Sequence, residues 1–503
     1  MKYIYSICAL LLTVLCSAQN RNAIWCFGDS AGINWTNPQQ PQFFRCASKS
    51  RGTSVSIADT SGNLLFYAFT RATMPGRTGI IYDKTHHIMQ NGDSIVGEGW
   101  YHEMVIVPDP KNNNLFYLFA IAVTGPDDGI FYSIIDISLN NGLGAITQKN
   151  IHLYLGTVMT DCLTAIKHGN GRDWWLICRL SGAAPNLPNN QFIEYLITPA
   201  GISGLFIQSI GSLNNTNAGQ IIFNSNNSKA IFENYAGLID YFDFDRCTGS
   251  FTNPINIRPV STVNPYLQFS AAFSPNDSLL YTTTTVPLHA LYQYDLTASN
   301  ILNTYTLISV LPNTNSVGPG ILQLAPDHKI YWGHQYYNFP STFFFPYPDT
   351  IYNMYNMNLS VINSPDSLGA ACDFHAFSFY VGGARIYYGF PNNPEYDLAA
   401  DSGSFCDTIT VGVATTELPK NSKLYIYYSP ALKTAFINAD GLTGKKYVIT
   451  IADLQGHLIY RSYGKLEGHY CTNDFNMQTF ADGLYIVSLI TDRELLSGKF
   501  IRE

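Results

Sequence analysis

The chain has 503 residues, of which 46% are hydrophobic, 14% aromatic and only 13% charged, with a formal net charge of −8. That length admits two or three domains, and the acidic balance argues against nucleic acid as a partner, because phosphate neutralisation needs a basic face. Ten cysteines are present, yet no CxxC pair supplies a thiolate zinc signal.

Residues 1–18 read as a secretory signal peptide. Lys2 precedes an apolar run from Ile4 to Cys16, and Ser17-Ala18 closes it. The run is too short to span a bilayer, and no later stretch is long and apolar enough, so no transmembrane segment is expected. Loss of Cys8 and Cys16 with the signal leaves eight cysteines in a compartment that permits disulfides.

From residue 19 to about 398 an alternating apolar strand, a polar turn and an aromatic-rich strand recur. Turn centres at Thr60, Pro110, Gly169, Ser225, Pro275 and Pro326 lie 50 to 59 residues apart. The turns use Gly, Pro, Asn, Asp and Ser, which reach positive φ cheaply, preset φ or bond their own backbone. The flanking strands carry Leu64-Leu65-Phe66-Tyr67, Leu115-Phe116-Tyr117, Trp174-Trp175-Leu176 and Ile330-Tyr331-Trp332, which suit a half-buried pleated surface. A further strand follows in most copies, as in Ile80–Asp83, Ile134–Asp136, Asp240–Asp243 and Leu291–Asp295. About four strands per repeat at this period predict an all-β chain whose larger part is a β-propeller. Seven blades fit the length and six or eight remain open, with a two-sheet sandwich as runner-up. A seventh blade would combine the hairpin His375 to Phe390 with the strand Ala23 to Phe27, closing the ring without an exposed edge.

Within this region Cys162 and Cys178 are equidistant from Asn170, so a cross-strand disulfide is expected there, with two buried thiols as the alternative. Counting eight residues back from each turn centre gives Gly52, His102, Asp161, Asn217, Leu267 and Gly318, which should share one mouth of the central channel. His102, Asp161 and Asn217, with Trp100 and Glu103 alongside, form the candidate ligand site. Asp240, Asp243 and Asp245 lack the Gly and terminal Glu of a calcium loop and read as solvated edge carboxylates. His102-Glu103 opens no HExxH, since Ile106 stands where the second His would be, and the adjacent pair His86-His87 points to opposite faces of a strand. No nucleophile elbow, phosphate loop or dinucleotide fingerprint occurs, so no metal or cofactor is expected.

A small-residue linker at 399–416 leads to a separate unit, residues 417–503, with strands at Lys423–Tyr428, Thr434–Asn438, Lys445–Ala452, His457–Arg461 and Gly483–Thr491, a small β-sandwich. Leu424–Ala431, Ile449–Gly456, Ala481–Val487 and Gly498–Arg502 resemble, in order and spacing, the type A sorting domain of the Bacteroidetes type IX secretion system. Ser429 departs from the Asn usual in the family's opening motif. The resemblance implies export through the periplasm and outer membrane by that machinery, then removal of this unit on release or on attachment to the cell surface. Ala23–Gly32, Ser61–Tyr67, Ile106–Pro110 and Tyr387–Pro394 resemble uncharacterised propeller-like exoproteins that precede such domains. That resemblance carries no activity.

The expected function is a secreted or surface-attached, non-enzymatic binding module whose ligand is a carbohydrate or another surface macromolecule, a surface protein included. The warrant is the aromatic loops Tyr336–Phe339 and Phe343–Tyr347 together with the missing catalytic motifs. A polysaccharide-acting propeller hydrolase or lyase, or a structural component of a surface or adhesin layer, are the alternatives.

Overall fold

In the computed structural model, each of the six polar turns joins the first two strands of an antiparallel sheet. The structure describes residues 20–502 apart from 72–76, 124–128, 156–158, 183–188, 215, 261–266, 313–316, 337–346, 348–349, 405, 408–421, 431, 454–456 and 467–468. The signal peptide, residues 337–346 of the two aromatic loops and most of the linker therefore lie outside the described residues.

Three successive turns share one geometry. Asn227, Asp277 and His328 occupy equivalent positions with φ of 57°, 62° and 61°, and the N–H of each donates three residues back, to Asn224, Ser274 and Ala325. A hairpin that turns the chain and then takes one left-handed residue matches the twist of its flanking strands.

Among the described residues seven sheets precede the linker, and each sheet's first strand lies innermost except in the first, where Ile24–Phe27 runs opposite to Ser54–Ala58 and has residues 385–390 on its inner side. These first strands are Ile24–Phe27, Ser54–Ala58, Met104–Pro108, Thr164–Lys167, Gly219–Phe223, Leu267–Phe273 and Val317–Leu324. Four of the sheets have four strands in sequential order. The first two have three, and the fourth adds Gly201–Ile202 and Phe206–Asn214 beside Asn189–Thr198. Sheets bury their faces against their neighbours, and one apolar cluster runs from Val55 through Ile106 and Trp174 to Phe251. This is the all-β propeller architecture.

The two chain ends meet where the ring closes, although residues 375–390 form no hairpin: Asp29 and Arg385 exchange backbone hydrogen bonds in an antiparallel bridge, and Phe390 packs on Trp25 and Phe27 at 5.6 and 5.1 Å. Ile24–Phe27 pairs with Asp29–Asn34 in its own sheet, and Phe374–Tyr380 pairs with Asn358–Ile362 in the last. Side chains complete the closure. Trp35 of the first sheet packs on Tyr331 at 5.5 Å and stacks on Phe379 at 6.2 Å, and Ile33 joins Ile321 and Val361 in one cluster. The first hairpin turns on Gly28, with φ of 56°, where an added Cβ would stand 2.9 Å from the Ile386 Cα.

The carboxyl-terminal unit is a sandwich of two sheets. One orders Lys423–Ser429, Thr434–Asp440 and Cys471–Asn476, and the other Leu458–Lys465, Lys446–Ala452, Gly483–Thr491 and Leu495–Arg502. Ala435, Ile437, Ile449, Ile451, Val487 and Leu489 alternate inward to form its core.

Candidate functional site

Residues 385–401 thread the central channel from the end where the innermost strands begin, the near end, to the end where they finish, the far end. Arg385 pairs with buried Asp29 at 2.5 Å. The Tyr388 carbonyl accepts the Ile321 N–H at 2.8 Å, and the Asn392 N–H donates to the Ser54 carbonyl at 2.7 Å. The Asn392 side-chain amide donates to the carbonyls of Met104 and Leu163 at 2.9 and 2.8 Å, tying the third sheet to the fourth. Further along, Asn393 accepts the Ser56 N–H, the Tyr396 hydroxyl donates to the Ile106 carbonyl, and Lys167 donates to the Tyr396 carbonyl. The segment emerges beside the fourth and fifth sheets, where the Asp401 N–H donates to Gly169, Arg246 donates to Ala399, and Cys406 is bonded to Cys247. The ring's attachments thus run past residue 398 to Cys406.

Glycine makes this passage possible. A Cβ on Gly389 would lie 2.0 Å from the Gly52 carbonyl oxygen, and one on Gly320 would lie 2.4 Å from that of Tyr388. Both contacts are with backbone, which cannot move aside.

At the near end the sequence-derived residues do come together, as a latch and not as an open mouth. The N–H groups of Tyr101 and His102 donate to the two carboxylate oxygens of Asp161 at 2.7 and 2.8 Å, and the Asp161 N–H donates to the Asn217 carbonyl at 2.8 Å. Glu103 accepts the N–H groups of Glu98 and Gly99 at 2.8 and 3.0 Å, while its own N–H donates to the Thr53 hydroxyl at 2.7 Å. Asn217 enters only through its backbone, since its side chain is exposed. The Arg51 guanidinium lies over the rings of Trp100, Tyr101 and Tyr388 at 5.5, 5.7 and 5.5 Å. Tyr101, Phe269 and Tyr388 meet at 5.0 to 5.6 Å and seal the channel.

Burial governs the titration of this end. It pushes Glu103 up to about 8, with the Asp161 charge adding to the rise. Burial likewise pushes Asp161 up to about 7, against the pull of the two backbone N–H groups and Arg51. His102 is held down at about 4 by desolvation and is neutral. A cavity of about 20 Å³, the volume of one water, is lined by His102, Gly219, Glu233, Gln268 and Phe269 among others.

The far end is open. A funnel of about 210 Å³ is lined by the ends of four innermost strands and floored by Asn392–Glu395 of the threaded segment. Asp277 receives hydrogen bonds from Asn224 and from the Ser225 N–H and hydroxyl. The buried Nδ2 groups of Asn227 and Asn393 have no hydrogen-bond partner among the described residues. Glu395 reaches solvent through the funnel but is otherwise walled by protein, which raises its pKa, with Asp397 adding to the rise.

Two expectations are corrected. Cys162 and Cys178 are buried free thiols hydrogen-bonded to each other, and the disulfide joins Cys247 to Cys406. The hairpin register pairs Thr164 with Ile177 and Lys167 with Trp174, which sets Leu163, not Cys162, opposite Cys178. Asp240 is not a solvated edge carboxylate. It is 1% exposed, bonded to Ser212 and Asn256, and 4.0 Å from buried Arg179. The threaded segment itself was missed as a functional element, although Pro391 and Pro394 within it cannot donate to a strand ladder.

Fold and carboxyl-terminal unit together define a propeller carrying an export domain. Residues 425–503 match the family described as the secretion system C-terminal sorting domain, so the chain is a cargo of the type IX secretion system, secreted or held at the cell surface. The propeller domain of Cps50 (Swd1) from Myceliophteria thermophila is 11% identical, with a TM-score of 0.32, covering 62% of this chain and 93% of that one. A quinonprotein alcohol dehydrogenase-like protein from Bacteroides thetaiotaomicron is 9% identical, with a TM-score of 0.34, covering 73% of this chain and 75% of that one. No curated protein matches the sequence.

Proposed function

We propose that the exported ring is a non-enzymatic binding module that takes a carbohydrate, or another polyhydroxylated surface macromolecule, in the far-end funnel. The observation that carries this reading is the pair of unpartnered amide donors, Asn227 and Asn393, beside the carboxylates of Asp277 and Glu395. Amide donors next to carboxylate acceptors match the vicinal hydroxyls of a sugar, and Phe223 and Phe273 add apolar surface. Buried donors left unpaired cost about 1–3 kcal/mol each, which a hydroxyl ligand recovers.

The near-end residues Trp100, His102, Glu103, Asp161 and Asn217 hold the channel shut in this reading. Their carboxylates are committed to backbone N–H groups behind the aromatic seal, so the hydrolase or lyase alternative has no open carboxylate pair there. No cofactor enters the proposal.

The test is retention of the full chain on a panel of immobilised polysaccharides, with reducing ends measured in parallel. Glu395→Gln should weaken retention by about tenfold, the effect of one charged hydrogen bond. Accumulation of reducing ends would overturn the non-enzymatic reading. Retention by no polysaccharide, with a crosslinked protein neighbour, would move the protein to the surface-layer class.

A further inference from the structure

Arg461, on the sorting-domain strand Leu458–Lys465, reaches into the side of the ring. Its guanidinium lies over the Phe206 ring at 4.7 Å and the Trp175 ring at 5.8 Å, and it donates to the Thr248 carbonyl at 2.6 Å. Behind these rings is Glu194, only 3% exposed, whose Oε1 has no hydrogen-bond partner among the described residues. Gly249 keeps the cage open, because a Cβ there would stand 2.9 Å from Glu194 Oε2 and 3.0 Å from the Trp175 ring. Trp175 is fixed in place by its own indole N–H, which donates to the Arg246 carbonyl at 2.8 Å.

Two aromatic faces, a carbonyl and a buried carboxylate converge on one cation. All four belong to the ring, and only the cation belongs to the sorting domain. We propose that Trp175, Phe206, Glu194 and the Thr248 carbonyl form a guanidinium-binding cage, filled by Arg461 while the sorting domain is docked. When that domain leaves, the cage takes an arginine side chain of another protein. The disulfide sets the dose of the internal ligand. Cys406 is bonded to Cys247, next to Thr248 of the cage, so the sorting domain stays joined to the ring beside the cage and Arg461 occupies it at high effective concentration. The same four groups make a planar, delocalised cation the best fit, because guanidinium stacks on rings and donates in its plane at once.

The test uses the full chain and Nα-acetyl-arginine amide as probe at about pH 9, read by calorimetry and tryptophan fluorescence. Arg461→Ala should bind the probe saturably. Wild type should bind it at least about tenfold more weakly, and so should Arg461→Ala combined with Glu194→Gln. The neutral citrulline analogue should not bind. In the wild-type chain, excess probe should speed hydrogen exchange across Leu458–Lys465 by displacing Arg461, a readout that stands even if Arg461→Ala fails to fold. No probe binding to the folded variant, equal binding of the citrulline analogue, or unchanged exchange in wild type would each overturn the cage.

Discussion

Replacing both Cys247 and Cys406 by Ala should cost the ring a large part of its stability. The bridge joins positions 159 residues apart and closes a loop containing more than two whole sheets. The chain-entropy relation for a loop of that size gives about 17 cal/mol/K, or roughly 5 kcal/mol at 25 °C. The hydrogen bonds that hold the same stretch, Asp401 to Gly169 and Arg246 to Ala399, contribute about 1 kcal/mol each and do not replace it. For a ring of roughly 380 residues the unfolding entropy is about 0.8 kcal/mol/K, so the midpoint should fall by about 6 °C. The assay is calorimetry of the oxidised full chain beside the double variant, with alkylation under non-reducing conditions. A midpoint within 1 °C of wild type would refute the reasoning, as would a bridge between Cys162 and Cys178 in the mass map.

Gly389→Ala should eject the threaded segment, since the new methyl meets backbone at 2.0 Å, and limited proteolysis should then cut between Arg385 and Cys406. Asn392→Ala leaves the Met104 and Leu163 carbonyls unpaired and should destabilise the ring by about 2–4 kcal/mol in denaturant titration. Glu103, Asp161 and Glu233 have folded pKa values of about 8, 7 and 8, above those of an unfolded chain, so the folded state holds extra protons and stability falls as pH rises through that window. His102 and His334, lowered to about 4 and 3, oppose this only below about pH 6.5. The midpoint should therefore decline from about pH 6.5 toward 8, and Glu233→Gln should flatten the decline by about 1.4 kcal/mol per pH unit. A chain ending at Thr416 should leave a folded ring trapped in the periplasm, and its normal appearance in the medium would contradict the sorting role of residues 425–503.

The repeat was legible because its turns are chemically marked. Asn227, Asp277 and His328 take the same left-handed position, and residue types suited to it recur at that period. The first sheet escaped the count although its hairpin also turns on a polar cluster, Gly28-Asp29-Ser30, with Gly28 and Ser30 both at positive φ, because it lies only about 30 residues before the turn at Thr60 and so falls outside the fifty-residue spacing. The six positions counted back from the turns, Gly52, His102, Asp161, Asn217, Leu267 and Gly318, fall within three residues of the starts of their strands, since the distance from turn to strand start is fixed by strand length. Their role was not legible, because what closes the mouth, Tyr388, comes from a segment read as a hairpin. The disulfide was missed for a related reason. Cys406 meets Cys247 only because residues 385–401 cross the ring, and no local spacing encodes that crossing.

The threaded segment also sets an order of events. Arg21 is bonded to Asp397, Ser56 to Asn393 and Asp29 to Arg385, contacts that join the amino-terminal part of the ring to the last residues before the linker. A growing chain can pair each sheet as it emerges, but the hole in the middle stays empty until residue 401 is available. Loop closure on that scale is slow, and contacts so distant in sequence come late. The ring is thus a wheel whose axle is fitted last. A chain ending between Tyr380 and Arg385 would keep its paired strands and lose the part that centres them.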